Sequence, residues 1–177
     1  MAAWDVDAER THPVDFRLVH NTFVTMFWRS SLLEETVEWL RSHAYDVVQF
    51  DAGSWASAAD MYEDVAVGLN FPDYFGRNLH ALNDCMSDVA SGDYGWQADA
   101  AGLAIVLRAF DTFTAVDRRT AQIMLYIFAD QARRAILIGN RIICLVQSND
   151  PQLAFEPVGA MPAIWNDAEW LNSKRGL

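Results

Sequence analysis

Hydrophobic positions in this chain follow two rhythms: short β-branched or apolar runs, and longer stretches in which apolar residues recur every third or fourth place. Residues 22–28 (TFVTMFW), 45–50 (YDVVQF), 103–107 (LAIVL) and 141–147 (RIICLVQ) show the first rhythm and predict strands. The third of these is apolar throughout, as strands covered on both faces are. Helices are predicted between them. From Ser31 onward, Leu32, Leu33, Thr36, Val37 and Leu40 keep one apolar face while Glu34, Glu35, Glu38 and Arg41 stay outside, and Ser31 with Glu34 makes a capping-box pattern. Over residues 57–70, Ser57 offers a cap with Asp60 three places on, Met61, Val65 and Leu69 form the stripe, and Gly68 helps the helix stop. Over residues 116–134, Ala121, Met124, Leu125, Phe128 and Ala132 share a face that Ile123 and Ile127 widen. Asp117 in its first turn and Arg133 and Arg134 in its last suit the helix dipole.

The connecting segments are less regular. Residues up to 21 read as an irregular leader, interrupted by Pro13 and pinned by Trp4 and Phe16. Residues 91–102 read as a loop carrying Tyr94 and Trp96. At 135–139, Gly139-Asn140 fits either a hairpin turn or a helix C-cap, with the helix end preferred. The tail from Pro151 holds three prolines and two tryptophans, with a short helix expected over 167–172.

Residues 71–89 (FPDYFGRNLHALNDCMSDV) form the segment that the remainder is organised to present. Pro72 fixes one backbone angle, Asp73 can bond back to the backbone, and Gly76 allows a tight bend, so a turn carrying Tyr74 and Phe75 precedes a helix. Asn78 is the N-cap candidate. Leu79, Leu82, Met86 and Val89 fall on one face, and at roughly 100° per residue His80, Asn83, Asp84, Ser87 and Asp88 fall on the other. One side is predicted to be core and the other a polar stripe.

From 45 to 147 the order strand, helix, helix, strand, helix, strand calls for a parallel sheet with right-handed crossovers. The predicted class is α/β, with a small three- to four-stranded parallel sheet flanked by helices. Residues 1–44 form an N-terminal extension, a strand plus a helix packed on the core. Residues 149–177 form a C-terminal tryptophan-containing extension, the whole being one folding unit.

Length and composition agree with a single globular domain: 177 residues, 52% hydrophobic and 21% charged. Cys85 and Cys144 lie inside apolar periodic segments and read as buried, reduced thiols. The first fifteen residues are acidic and lack an apolar centre, and the longest apolar run, 123–129, is too short for a bilayer, so no membrane partner and a cytoplasmic location are expected. The net charge of −11 argues against direct nucleic-acid binding, which needs cations to displace phosphate counterions. Between 57 and 99, Asp60, Glu63, Asp64, Asp73, Asp84, Asp88, Asp93 and Asp99 face a single Arg77. That excess would steer a basic protein partner.

Chemistry is thin by comparison. His80 and Asp84, four apart, could orient an imidazole or supply two metal ligands, but two ligands do not make a site. No H-E-x-x-H, P-loop or G-x-G-x-x-G motif occurs, and His12, His20 and His43 lack partner patterns. No enzyme activity, metal or cofactor is expected.

The run P-D-Y-F-G-R-N-L-H-A-L-N-D-C resembles the signature of the barstar family, the intracellular inhibitors of microbial ribonucleases. The family's pattern is close to P-x-Y-[YF]-G-x-N-L-D-A-L-W-D-C. Pro72, Tyr74, Gly76, Asn78, Leu79, Ala81, Leu82, Asp84 and Cys85 match it without a gap. The resemblance, covering roughly residues 45–148, implies a barstar-like sheet and a turn and helix that plug a ribonuclease active site. It implies Asp84 as a carboxylate lying where substrate phosphate would go, and Tyr74 packed against the enzyme nearby. Tyr74, Asn78, His80, Asn83, Asp84, Ser87 and Asp88 are the partner-binding residues expected on this basis, with Gly76 and Asn78 serving the turn and cap and Cys85 the core. The sequence departs from the pattern at His80, where the family has an acid, and at Asn83, where it has tryptophan. Arg77 adds a positive charge and Asp88 restores a negative one. The implied partner is a basic microbial ribonuclease or nuclease toxin. The alternative is a barstar-like interaction module that inhibits no nuclease and uses the tryptophan tail.

Overall fold

The four apolar runs all become strands of one sheet. The structure, a computed structural model, describes Asp7 and residues 12–177; Trp4, expected to pin the leader, lies outside the described residues. Strands β1 (Val24–Phe27), β2 (Tyr45–Asp51), β3 (Gly102–Arg108) and β4 (Ile142–Gln147) are joined by a two-residue β5 (Ile164–Trp165). Their order is β2-β3-β4-β1-β5 and every pairing is parallel. Five strands replace the three to four expected. β1 docks on the free edge of β4, from Val24 opposite Cys144 to Phe27 opposite Gln147, and β5 covers β1 in turn. A two-residue strand has no period to read.

Six described helices complete the fold: α1 (Val14–Val19), α2 (Ser30–Ser42), α3 (Ala58–Gly68), α4 (Leu79–Ser91), α5 (Phe110–Val116) and α6 (Arg118–Leu137). Because strand side chains alternate, the sheet feeds two cores. Ala104, Val106, Ile143 and Leu145 pack against Leu18 of α1 and Leu33, Val37 and Leu40 of α2. Leu103, Ile105, Leu107, Cys144 and Val146 point the other way and join Met61, Leu82, Met86, Phe113, Met124 and Phe128 from α3 to α6. Each such side chain contributes roughly 1.5–3 kcal/mol of burial free energy. Both cysteines are buried and free.

Several boundaries differ from the sequence reading. The leader contains α1, entered directly after Pro13, whose fixed φ suits a helix start. Phe16 is not a buried pin but 43% exposed, with its ring against His12 and His20; Leu18 is the buried residue of that turn. The helix expected over 116–134 is α6, which begins at Arg118 and runs on to Leu137, and a separate helix not read from the sequence, α5, ends at Val116 with Asp117 between them. Asp117 caps α6 by accepting from the Thr120 amide (2.9 Å) and hydroxyl (2.7 Å), bonds that hold its carboxyl below the usual range. The seven-residue α5 was too short to show a stripe. At the other end of α6, Gly139 turns with φ +90° and the Asn140 amide donates to the Ala135 carbonyl, closing the helix. A hairpin is excluded there because the residues before Gly139, up to Leu137, are the last turn of α6 and not a strand.

The capping box at Ser31 does not form. Arg29 is the N-cap residue of α2 with no side-chain cap of its own, and Glu34 instead pairs with Arg108 at 2.7 Å. The acceptor comes from the far end of the chain. Glu169, fully buried, takes the amides of Trp28 and Arg29 (both 2.9 Å), the Arg29 Nε (3.0 Å) and the Asn166 Nδ2 (2.6 Å). Beside it, in place of the helix expected over 167–172, a 3-10 turn spans Asn172–Arg175. Arg175 is 6% exposed and donates to the carbonyls of Pro151, Glu169 and Trp170 and to Asn172 Oδ1, with its guanidinium 4.6 Å from the Trp165 ring centre.

Candidate functional site

The connection from α3 to α4 is built on alternation between inward and outward aromatic residues. Phe75 donates its amide to the Pro72 carbonyl (2.9 Å), closing the turn, and sets its ring edge-on to Phe71 and Tyr62; Phe71 meets Tyr94 in the same way. With Phe75 drawn inward, its neighbour Tyr74 is thrown outward, 79% exposed. Among the described residues the Asp73 side chain makes no hydrogen bond, so the turn does not use it as expected. Nor does Gly76 supply a left-handed residue: Arg77 takes that conformation at φ +46°. Gly76 eases a close approach, since a Cβ there would sit 3.1 Å from Asn78 Nδ2 and press on the cap. That nitrogen donates to the Gly76 carbonyl (3.0 Å), while Asn78 Oδ1 accepts from the Ala81 amide (3.0 Å) as the N-cap of α4.

Helix α4 buries Leu82, Cys85, Met86, Val89 and Ala90. Its last carbonyls are also secured. Tyr94 Oη donates to Cys85 O (3.2 Å), Trp96 Nε1 to Val89 O (2.9 Å) and Asn140 Nδ2 to Ala90 O (2.9 Å), and Gly92 (φ +87°) ends the helix. Both ends are therefore fixed, which makes α4 a rigid presenter. Burial pushes the Cys85 thiol up and away from reactivity.

The polar stripe divides into three. His80 and Asp84 are exposed along the crest and make neither a hydrogen bond nor an ion pair among the described residues, not even with each other. Asp88 is half-buried and shares the single Tyr94 hydroxyl proton (3.1 Å) with the Cys85 carbonyl. Asn83 and Ser87 are half-buried; Asn83 Oδ1 accepts from Gln131 Nε2 of α6 (3.0 Å). Asn78 is exposed and committed to its cap. The structure thus leaves Tyr74, His80 and Asp84 exposed and gives Asn78, Asn83 and Asp88 bonds within the chain. Arg77 does not face Asp84 as a free cation, because it pairs with Glu63 at 3.2 Å. Asp73, Asp84, Asp93 and Asp99 are exposed, and among the described residues their carboxylates make no hydrogen bond or ion pair.

Three residues that shape the site carry no assigned role in the sequence, Tyr94, Trp96 and Gln131, and Asn140, read there only as part of a turn or helix end, also bonds to α4. For Gln131 a signal existed. It lies four residues after Ile127 and seven after Met124, on a face that is otherwise apolar. Among the described residues no three His, Cys, Asp or Glu side chains are grouped to hold a metal, and no helix is long and apolar enough to cross a membrane.

No curated protein matches the chain. The family model Barstar (barnase inhibitor) matches residues 45–147, which holds β2, β3, β4 and the whole of the α3-turn-α4 surface. The members of that family are inhibitors rather than enzymes, and a ribonuclease is their general partner. With well over half of its residues in the match, this acidic α/β chain belongs to the Barstar family.

Proposed function

We propose that the chain is an inhibitor of immunity or antitoxin type, which binds a basic microbial ribonuclease and blocks its active site with the turn and helix of residues 71–89. The observation that carries this reading is Asp84: an exposed carboxylate, unbonded among the described residues, on the crest of a helix fixed at both ends. An anion held rigidly imitates the phosphate of RNA without offering a bond to cut, and its rigidity removes ordering entropy from association. Exposed Tyr74 supplies aromatic area beside it. His80 and Asn83, at the family's acid and tryptophan positions, direct the surface to a nuclease of its own.

Calorimetric titration against a panel of catalytically disabled basic microbial ribonucleases, including the one from the same genome, tests this. Tight one-to-one binding is expected, weakened at least about a hundredfold in Asp84→Ala, as for truncating one member of a desolvated charge pair. The variant's stability should stay within about 0.5 kcal/mol of wild type, because the side chain is exposed and unbonded among the described residues. A large stability loss with binding intact would remove Asp84 from the interface. Raising salt should slow association steeply while changing dissociation little, since long-range attraction is screened; a salt-independent on-rate would speak against steering. Failure of the wild type to bind any nuclease would favour a non-inhibitory interaction module using Trp170 and Leu171, which the tail leaves exposed.

A further inference from the structure

The seam between α4 and α6 holds a feature that a well-packed core avoids. Gln131 is 0% exposed, and its Oε1 is buried with no hydrogen-bond partner among the described residues. Leaving such a group unmade costs stability, and an apolar residue of similar length would fit the face on which Gln131 lies. Its Nε2 makes one bond, to Asn83 Oδ1 at 3.0 Å. Rotating both amides does not remove the conflict: it leaves a buried NH2 with two protons unpaired in place of one acceptor. The observed arrangement is the better of the two. It also fixes what Asn83 shows to the outside. Its oxygen is engaged, whereas its Nδ2 has no bond among the described residues and is not fully buried, so the amide turns its donors outward, one residue before the Asp84 carboxylate.

Resting on the inhibitor reading above, we infer that Gln131 is a positioning residue for recognition. It holds the Asn83 amide with its NH2 outward, so that α4 offers a donor beside the Asp84 acceptor. The matching partner surface is a cationic side chain flanked by a hydrogen-bond acceptor, a backbone carbonyl or a carboxylate. Local stability is given up at Gln131 for that pattern, as at other sites where a packing rule is broken for function.

Two measurements test this. The first needs no partner: side-chain amide exchange in the 15N-labelled full chain. The Gln131 NH2 should exchange at least about tenfold more slowly than the Asn83 NH2, with a single Asn83 orientation that becomes averaged in Gln131→Met. Rapid Gln131 exchange, or an averaged Asn83 amide in the wild type, overturns the positioning role whatever the titrations give. The second uses a disabled nuclease that the wild type binds. Asn83→Asp makes the face more negative, so charge alone would tighten binding to a basic partner; loss of the donor should instead weaken it about tenfold. Gln131→Met should weaken binding in the same direction with an unchanged or raised melting temperature, and the double variant should be no worse than Asn83→Asp. Tighter binding by Asn83→Asp, or unaltered binding by Gln131→Met, overturns the inference. If the wild type binds no nuclease, the inhibitor reading and the partner inferred here both fall, and the exchange data alone decide whether Gln131 positions Asn83.

Discussion

Glu169→Ala is expected to destabilise the protein by about 3–5 kcal/mol, the range for removing one member of a buried charged pair, lowering the melting temperature by roughly 10 °C or more. The substitution strips the acceptor from the amides of Trp28 and Arg29, which are orphan donors at the start of α2. It also leaves a cavity where the carboxylate was fully buried. Glu169→Gln separates charge from shape, since it retains one acceptor oxygen, and should cost less. Burial by itself would raise the Glu169 carboxyl; the two amides, the Arg29 guanidinium and the Asn166 amide overcome that and hold it below the ordinary glutamate value. A folded pKa below the unfolded one means stabilisation that is complete above the unfolded pKa, roughly 4.3, and is lost as pH falls through the folded value. The gap between wild type and Glu169→Gln in urea unfolding should therefore be constant near neutrality and close below about pH 4. A gap that stays open into acid would show that the charge contributes nothing.

Arg175→Ala should cost about 3 kcal/mol. Hydrogen bonds from a charged donor contribute roughly 1.5–3 kcal/mol each, but the four acceptors around Arg175 regain water once the tail loosens, so the loss is well below their sum. The guanidinium also rests on the Trp165 ring, an interaction of about 1 kcal/mol. Because Arg175 binds the backbone carbonyl of Glu169 itself, the two residues share one network. The Glu169→Ala, Arg175→Ala double variant should lose less than the sum of the singles. Both should shift a single unfolding transition, with far-UV circular dichroism and tryptophan fluorescence coincident. A tail that melts ahead of the sheet would mean that 149–177 is not part of one folding unit.

What the sequence could reveal follows from the distance over which each feature is decided. The strand runs, the apolar stripes of α3 and α4, and the Ser57 and Asn78 caps are settled within about four residues, and each can be read from local pattern. The outward crest of Tyr74, His80 and Asp84 belongs to the same class, because the turn and the helix period determine it. The cap of α2 does not: its acceptor lies 140 residues from Arg29 in the chain. A local S-x-x-E pattern at Ser31 therefore pointed to the wrong carboxylate. Asp88 and Asn83 look alike on a helical wheel, yet one is claimed by Tyr94 and the other by Gln131, 48 residues away. Pro13 misled in the opposite sense, as a residue that breaks helices in their interior opens α1 here.

The placement of β1 between β4 and β5 also has a consequence in time. Trp28, just past β1, is bonded to Gln147, 119 residues later, and Met26 to Asn166, 140 residues later. During synthesis at roughly 5–20 residues per second, the apolar Val24–Phe27 strand must wait on the order of ten seconds before either neighbour exists. Pairings so distant also make for slow closure once the chain is complete. Aggregation during rapid expression should accordingly originate at this early strand, and slower translation, lower temperature or a chaperone that shields residues 22–28 should raise the yield of folded protein.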